Sequence, residues 1–216
     1  MTVDLEKRPM LFGVSRSGGT FIYNIINEIF QGKVKPQSHG FFETERKVIA
    51  TYRDFRDSTV SWWRMEVGKF TDIEEKRFMT KDELVIYADR MKRLVNNELH
   101  KMREHYPEDQ ILFLRYEEFF NNFDFIFSSV ENFLEIELSD ELKETIIKKY
   151  NLQSQKKEAA KFEDYKGYDE IRHIHGHHIM NGEPQTWMKL VNPNHYFLLN
   201  YILKDGLRNW GYVQDE

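Results

Sequence analysis

Between residues 10 and 30 the chain runs apolar, then small and polar, then apolar again. Met10-Leu11-Phe12-Gly13-Val14 is a continuous apolar run of strand length and predicts one buried β-strand. Ser15-Arg16-Ser17-Gly18-Gly19-Thr20 reads as a turn, after which Phe21, Ile22, Ile25, Ile26, Ile29 and Phe30 recur at helical spacing. Strand, glycine turn and helix together aim backbone N–H groups and the positive end of a helix dipole at one point. That point suits a phosphate or a sulfate.

The alternation continues down the chain. Residues 32–40 read as a turn, a short strand around Val34, and the polar Gln37-Ser38-His39. Val48 to Tyr52 is a strand by its β-branched content, and Asp54 or Asp57 is placed to cap the helix after it. Residues 66–80 are charged and irregular, as a surface excursion would be. Leu84, Ala88, Met91, Leu94, Val95 and Met102 predict a long amphipathic helix from Lys81 that ends before Pro107. Residues 110–115 read as another strand, leading into Tyr116-Glu117-Glu118-Phe119. Helices follow over Phe123, Ile126, Phe127, Val130, Phe133 and Leu134, and from a Ser139 cap through Tyr150.

Residues 151–186 turn polar and lysine-rich, a pattern that predicts a mobile loop with weak helical segments, a lid. A last amphipathic helix is expected over residues 193–207, with Trp210 and Tyr212 packing back on the core. Strands alternating with helices predict an α/β protein, a parallel sheet with helices on both faces. No internal repeat or linker divides the chain, so residues 1–216 read as a single domain.

Composition narrows the chemistry. With 40% hydrophobic and 15% aromatic residues among 216, the chain has the material for a core and is not a disordered polymer. It has no cysteine, which rules out a disulfide, a thiol nucleophile and cysteine-bound zinc. A net charge of −5 argues against nucleic acid as a partner and requires any anionic ligand to meet locally clustered cations. The first nine residues lack a secretory apolar core and no run is long enough to span a membrane, so a soluble, cytoplasmic setting is expected.

Two stretches look built for anions. Gly13-x-x-x-x-Gly18-Gly19-Thr20 is nearly a Walker A loop, but Gly19 stands where that motif needs lysine, and Arg16 sits inside the turn instead. A P-loop small-molecule kinase is therefore the weaker alternative, as no Walker B strand accompanies the loop. Further on, Arg53 ends a strand and Ser61 lies two turns into the next helix, a pairing suited to gripping one phosphate. His173, His175, His177 and His178 invite a metal reading, but no carboxylate is spaced as a third ligand, and no metal site is expected.

These stretches resemble the sulfotransferases that use 3′-phosphoadenosine 5′-phosphosulfate (PAPS). In that family the first loop reads Pro, Lys or Arg, Ser, Gly, Thr, Thr, then Trp, Phe or Leu. Ser15-Arg16-Ser17-Gly18-Gly19-Thr20-Phe21 is similar, without the proline and one threonine. The second signature, a strand-end arginine followed by aspartates and a serine that hold the 3′-phosphate, is met by Arg53, Asp54, Asp57 and Ser61, with Phe55 in the place of a proline. Ser38-His39 resembles the segment bearing the catalytic base, though Gln37 replaces its lysine; Glu43 and Glu45 are the fallback bases. Tyr116-Glu117-Glu118-Phe119 stands in for a segment whose tyrosine meets the adenine side of the cofactor. Gly182 and Trp187 keep the separation of a loop that closes over the 3′-phosphate, while its arginine and lysine are absent unless Arg172 or the histidines substitute.

The resemblance implies a three-layer, P-loop NTPase-like sulfotransferase fold. It implies sulfuryl transfer from PAPS, leaving adenosine 3′,5′-bisphosphate (PAP), to an acceptor hydroxyl or amine on a small molecule, carbohydrate or lipid, with no metal. Arg16, His39 and Ser61 are then catalytic, and Arg16, Ser17, Gly18, Gly19, Thr20, Phe21, Arg53, Ser61, Tyr116 and Gly182 bind the cofactor. A non-catalytic adenosine-bisphosphate-binding protein remains the second alternative. Neither the acceptor nor the oligomeric state is written in the sequence.

Overall fold

Strands β1 (Met10–Gly13), β2 (Val48–Tyr52) and β3 (Ile111–Arg115) pair in parallel in the order β1-β2-β3, with Met10 opposite Val48 and Val48 opposite Ile111. This is a computed structural model, and it describes residues 4–68, 77–163, 166–176 and 182–213. Because side chains alternate across a pleat, each strand feeds two cores. Phe12, Val48, Ala50 and Ile111 point into one core, whereas Leu11, Ile49 and Leu114 point into the other.

The first core is covered by α2 (Phe55–Gly68), by a long helical rod of α3 (Lys81–Leu94), a π-turn (Val95–Leu99) and α4 (His100–His105), and by the C-terminal α10 (Tyr196–Asn209). The second is covered by α1 (Gly19–Ile29), α5 (Tyr116–Phe119), α6 (Phe123–Leu134) and α7 (Asp140–Tyr150). The expected sandwich of helices, parallel sheet and helices is therefore present.

The segment expected to be a strand around Val34 is instead a single parallel bridge from Ser38 to Phe12, on the edge of β1 away from β2. The Ser38 N–H donates to the Leu11 carbonyl, and the Gly13 N–H donates to the Ser38 carbonyl. From β1 the chain thus passes over α1 to one side, then returns to β2 on the other. That reversal makes the carboxyl ends of β1 and β2 a topological switch point, where open α/β sheets bind ligands.

The polar stretch after α7 is more ordered than its composition suggests. Asn151 caps α8 (Leu152–Ala159), whose buried positions are Gln155 and Ala159. Residues 166–176 fold against α1, where Tyr23 Oη donates to the Ile171 carbonyl and Asn24 Nδ2 to that of Arg172. The remainder of the expected lid and of the 66–80 excursion, including His177, His178 and residues 69–76, lies outside the described residues. α9 (Trp187–Leu190) follows residues 182–186.

Candidate active site

The loop after β1 is pinned from beneath. The Val14 N–H donates to the Thr51 carbonyl, and Ser17, fully buried, bonds through its hydroxyl to Thr51 Oγ1 at 2.7 Å. The chain then turns sharply through left-handed Arg16 (φ 68) and Gly18 (φ 80) to start α1. A Cβ on Gly18 would stand 2.8 Å from the ring of Tyr116, so glycine is required both for the turn and for the contact. The first N–H groups of a helix have no carbonyl four residues back. Here α1 has no side-chain cap and no acidic residue in its first turn, so its positive end is available to an anion.

Gln37 occupies the inner wall of this loop. Its Oε1 lies 2.8 Å from where a Cβ on Gly13 would stand, and any Cβ on Gly19 would collide with the same carboxamide. The two departures from the family pattern, glycine for threonine at 19 and glutamine for lysine at 37, therefore touch each other. Residues 37 and 39 flank the bridged Ser38 and share one side of it. His39 Nδ1 lies 2.5 Å from the carbonyl of Gly13. A carbonyl only accepts, so Nδ1 carries the hydrogen and neutral His39 keeps its lone pair on Nε2.

Arg16 reaches across to α2, where its Nε donates to Ser61 Oγ at 3.1 Å and its Nη1 approaches Met65 Sδ at 3.5 Å. Arg53, at the carboxyl end of β2, is 7% exposed. Its Nη2 donates to the Glu183 carbonyl at 2.8 Å and lies 3.3 Å from Asp57 Oδ2, while its guanidinium stacks 4.2 Å from the Tyr116 ring centre. Arg53 Nε is buried without a hydrogen-bond partner. Tyr116 Oη donates to the Gly182 carbonyl at 2.6 Å; burial pushes its phenol up to about 12 despite the pull of Arg53, so it stays a donor.

Asp57 is the joint of the site, a role the sequence pattern gave only as part of a signature. It is 2% exposed and accepts the N–H groups of Gln185 at 2.7 Å and Trp187 at 2.9 Å, besides facing Arg53. Burial raises its pKa above the ordinary aspartate value, against the opposing pull of Arg53 and the two N–H groups. Asp54 does the capping instead, accepting the Arg56 N–H at 2.9 Å. The loop carrying Gly182 is thus tied to Arg53, Asp57 and Tyr116 in one network.

Other candidates fall elsewhere. Arg172 is engaged by Asp169 and Glu158, on the flank formed with α8, and does not join Arg53. His173 packs on Tyr23 and His175 stacks on Tyr168. Among the described residues no group of His, Cys, Asp and Glu is arranged to hold a metal. Glu43 and Glu45 flank Thr44, whose carbonyl, like that of Arg46, accepts from Gln110 at the amino end of β3. That is the end of the sheet opposite the loop, so His39 alone of the candidate bases stands at the site. Phe21, in the first turn of α1, stacks on Phe119 and meets Phe123 edge-on.

A parallel α/β sheet whose switch point holds an uncapped helix end, two arginines and an imidazole is arranged to receive an anionic ligand beside a proton acceptor. The sulfotransferase domain matches residues 33–209, and the chain belongs to the sulfotransferase family, enzymes that transfer sulfuryl groups. The match begins beyond the first loop, and the likeness to solved structures covers a larger share of the chain. A mouse sulfotransferase, SULT7A1, solved with PAP, has 16% identity and a TM-score of 0.69, covering 95% of this chain and 86% of that one. Retinol dehydratase with androsterone and inactive cofactor PAP gives 14% and 0.64, covering 94% and 81%. The same enzyme with retinol and PAP gives 15% and 0.65, covering 94% and 82%. Among curated protein sequences none matches this chain.

Proposed function

We propose that this sulfotransferase takes its sulfuryl group from PAPS and transfers it in line to a hydroxyl or amine of a small-molecule, carbohydrate or lipid acceptor. The observation that carries the reading is Arg53, a buried guanidinium with an unpartnered Nε, at the end of the strand paired with β1, whose loop leads into the uncapped α1 N-terminus. Unpaired buried donors are costly, and a ligand with one anionic group at each place would satisfy both. These residues fit a nucleotide bearing phosphates at both 3′ and 5′ positions.

In this reading Arg53 and Ser61 hold the 3′-phosphate, and the backbone of Ser17, Gly18, Gly19 and Thr20 holds the 5′-phosphate. Phe21 and Tyr116 flank the adenine, and the carbonyl of Gly182 keeps Tyr116 oriented. When bound, the cofactor supplies the sulfuryl group. His39 Nε2 takes the acceptor's proton, its ring fixed by the Nδ1 bond to Gly13. Arg16 leaves Ser61 to meet the negative charge that grows on the leaving phosphate, and the α1 dipole adds to it. The chain's own cations thus stand at the point of charge development. Of the lid expected over residues 151–186, the part that covers the site in this reading is the loop from residue 182, whose Glu183 and Gln185, with the adjoining Trp187, bond to Arg53 and Asp57. No described helix is long and apolar enough to cross a membrane, and the cytoplasmic setting expected from the sequence is retained as part of the proposal.

Incubation with radiolabelled PAPS and a panel of phenols, sugars and lipids tests the reading. Label should appear on at least one acceptor. Tight PAP binding with no labelled acceptor would favour a non-catalytic nucleotide-binding protein, and magnesium-dependent phosphorylation from ATP would favour a kinase.

A further inference from the structure

The rod from Lys81 to His105 is interrupted where it passes the site. At Val95–Leu99 it opens into a π-turn, and the N–H of His100 reaches back five residues to the Val95 carbonyl. Such insertions are rare and are frequent at functional sites. Val95 and Leu99 remain buried through the turn, while Glu98, between them, faces the loop that carries His39. Glu98 Oε2 accepts the Phe41 N–H at 2.6 Å and lies 3.9 Å from where a Cβ on Gly40 would stand. Among the described residues no lysine, arginine or histidine forms a salt bridge with it.

The loop it holds is fixed by side chains: Ser38 Oγ bonds both the N–H and the carbonyl of Gly40, and Gln110 donates to the carbonyls of Thr44 and Arg46. Residues 39–47 cross from the carboxyl end of β1 to the amino end of β2 without a regular ladder. The end of the rod adds further ties: Tyr106, just beyond it, donates through Oη to the Phe42 carbonyl and accepts the Thr44 N–H, and the Phe41 ring meets His105 edge-on. His39 and Gly40 are exposed. Upstream, Ser38 is fixed to β1 on both sides. The imidazole, bonded through Nδ1 to the Gly13 carbonyl, is carried by a segment with an anchor on either side, the Ser38 bridge and the Phe41–Glu98 bond. Only the second is a bond to a carboxylate, which is the shorter and stronger kind.

We propose that Glu98, presented by the π-turn, is a positioning residue that holds the His39 imidazole in register with the first loop. The inference rests on the reading of His39 as the base. Its physical content is that a base must stand within hydrogen-bond reach of the proton it takes, and small misplacements are expensive. Glu98 touches neither cofactor nor acceptor in this account.

The test compares Glu98→Ala, Glu98→Gln, Glu98→Asp and His39→Ala for kcat, KM for PAPS and hydrogen exchange at the Phe41 amide. Glu98→Ala should lower kcat by about 10- to 100-fold, the cost of a misplaced catalytic group, with KM for PAPS unchanged and Phe41 exchanging faster. Glu98→Gln, which keeps an acceptor at the same reach, should restore both kcat and protection. Should Glu98→Ala fail to fold, Glu98→Asp, too short to reach Phe41, takes its place with the same expectation. A dead His39→Ala beside a Glu98→Ala (or Glu98→Asp) of normal kcat would overturn the positioning role and leave the base reading standing. A Glu98→Gln that protects Phe41 but stays as slow as alanine would also overturn it. A His39→Ala of normal turnover would remove the base reading and this inference with it.

Discussion

The carboxamide of Gln37 lies over the Cα of Gly19, at the start of α1, and leaves no room there for a side chain. A pair of residues eighteen positions apart thus reshapes the anion loop together. Restoring threonine at 19 alone should overpack the loop and cost about 1–3 kcal/mol of unfolding free energy. Adding Gln37→Ala should recover most of that loss, and a double-mutant cycle in urea measures the coupling. Additive effects would mean the two residues do not meet.

Asp57 ties Arg53 to the loop ahead of α9. Asp57→Ala would leave a buried guanidinium without its counter-charge and two N–H groups without an acceptor, and should destabilise the fold by about 3–5 kcal/mol. Asp57→Asn, retaining one acceptor oxygen, should cost less. Denaturant midpoints report both, and an alanine variant as stable as the parent would refute the clamp.

Tyr116 gives a pH signature. Its phenol, free to ionise near 10 in the unfolded chain, is held up to about 12 by burial in the fold. Its contribution is therefore full below pH 10 and is lost as pH rises from there towards about 12. Tyr116→Phe should flatten that part of the stability–pH curve and weaken PAP by about 1 kcal/mol through the loosened Gly182 contact. A variant with the parent's alkaline limb would place the titration elsewhere.

Arg16 should matter more to turnover than to affinity, since it acts on charge that appears in the transition state. Arg16→Ala should lower kcat far more than it weakens PAP, and Arg16→Lys should keep part of the rate. Single-turnover kinetics separate the two. Normal turnover with poor binding would make Arg16 a ground-state anchor.

Much of this arrangement was legible in the residue pattern because it is local. The strand 10–13, the turn and α1 follow from hydrophobic period and glycine placement, and Arg53 at the end of β2 with Ser61 on α2 from the strand and helix pattern, though Ser61 bonds Arg16 and not Arg53. Contacts between distant positions were not legible. Nothing in Gln37 alone predicts that it lines Gly19, and nothing in Asp57 predicts that it collects N–H groups 128 and 130 residues on. Helix α8 was hidden because its buried positions are Gln155 and Ala159, which leave no aliphatic stripe. The strand expected near Val34 is absent because only Ser38 reaches β1 in register. The missing cations of the 182–187 loop are not supplied by Arg172, which Asp169 and Glu158 engage, leaving Arg53 as the described arginine bonded to that loop.

The most direct test is therefore calorimetric titration of the intact protein and of Arg53→Ala with PAP and with adenosine 5′-phosphosulfate, in the absence of magnesium. PAP should bind the parent, and Arg53→Ala should weaken it by about 1.5–3 kcal/mol, the worth of a charge-assisted contact, while adenosine 5′-phosphosulfate, without a 3′-phosphate, changes little. Equal weakening of both ligands, or binding only of ATP with magnesium, would contradict the assignment of Arg53 to the 3′-phosphate and of PAPS as the donor.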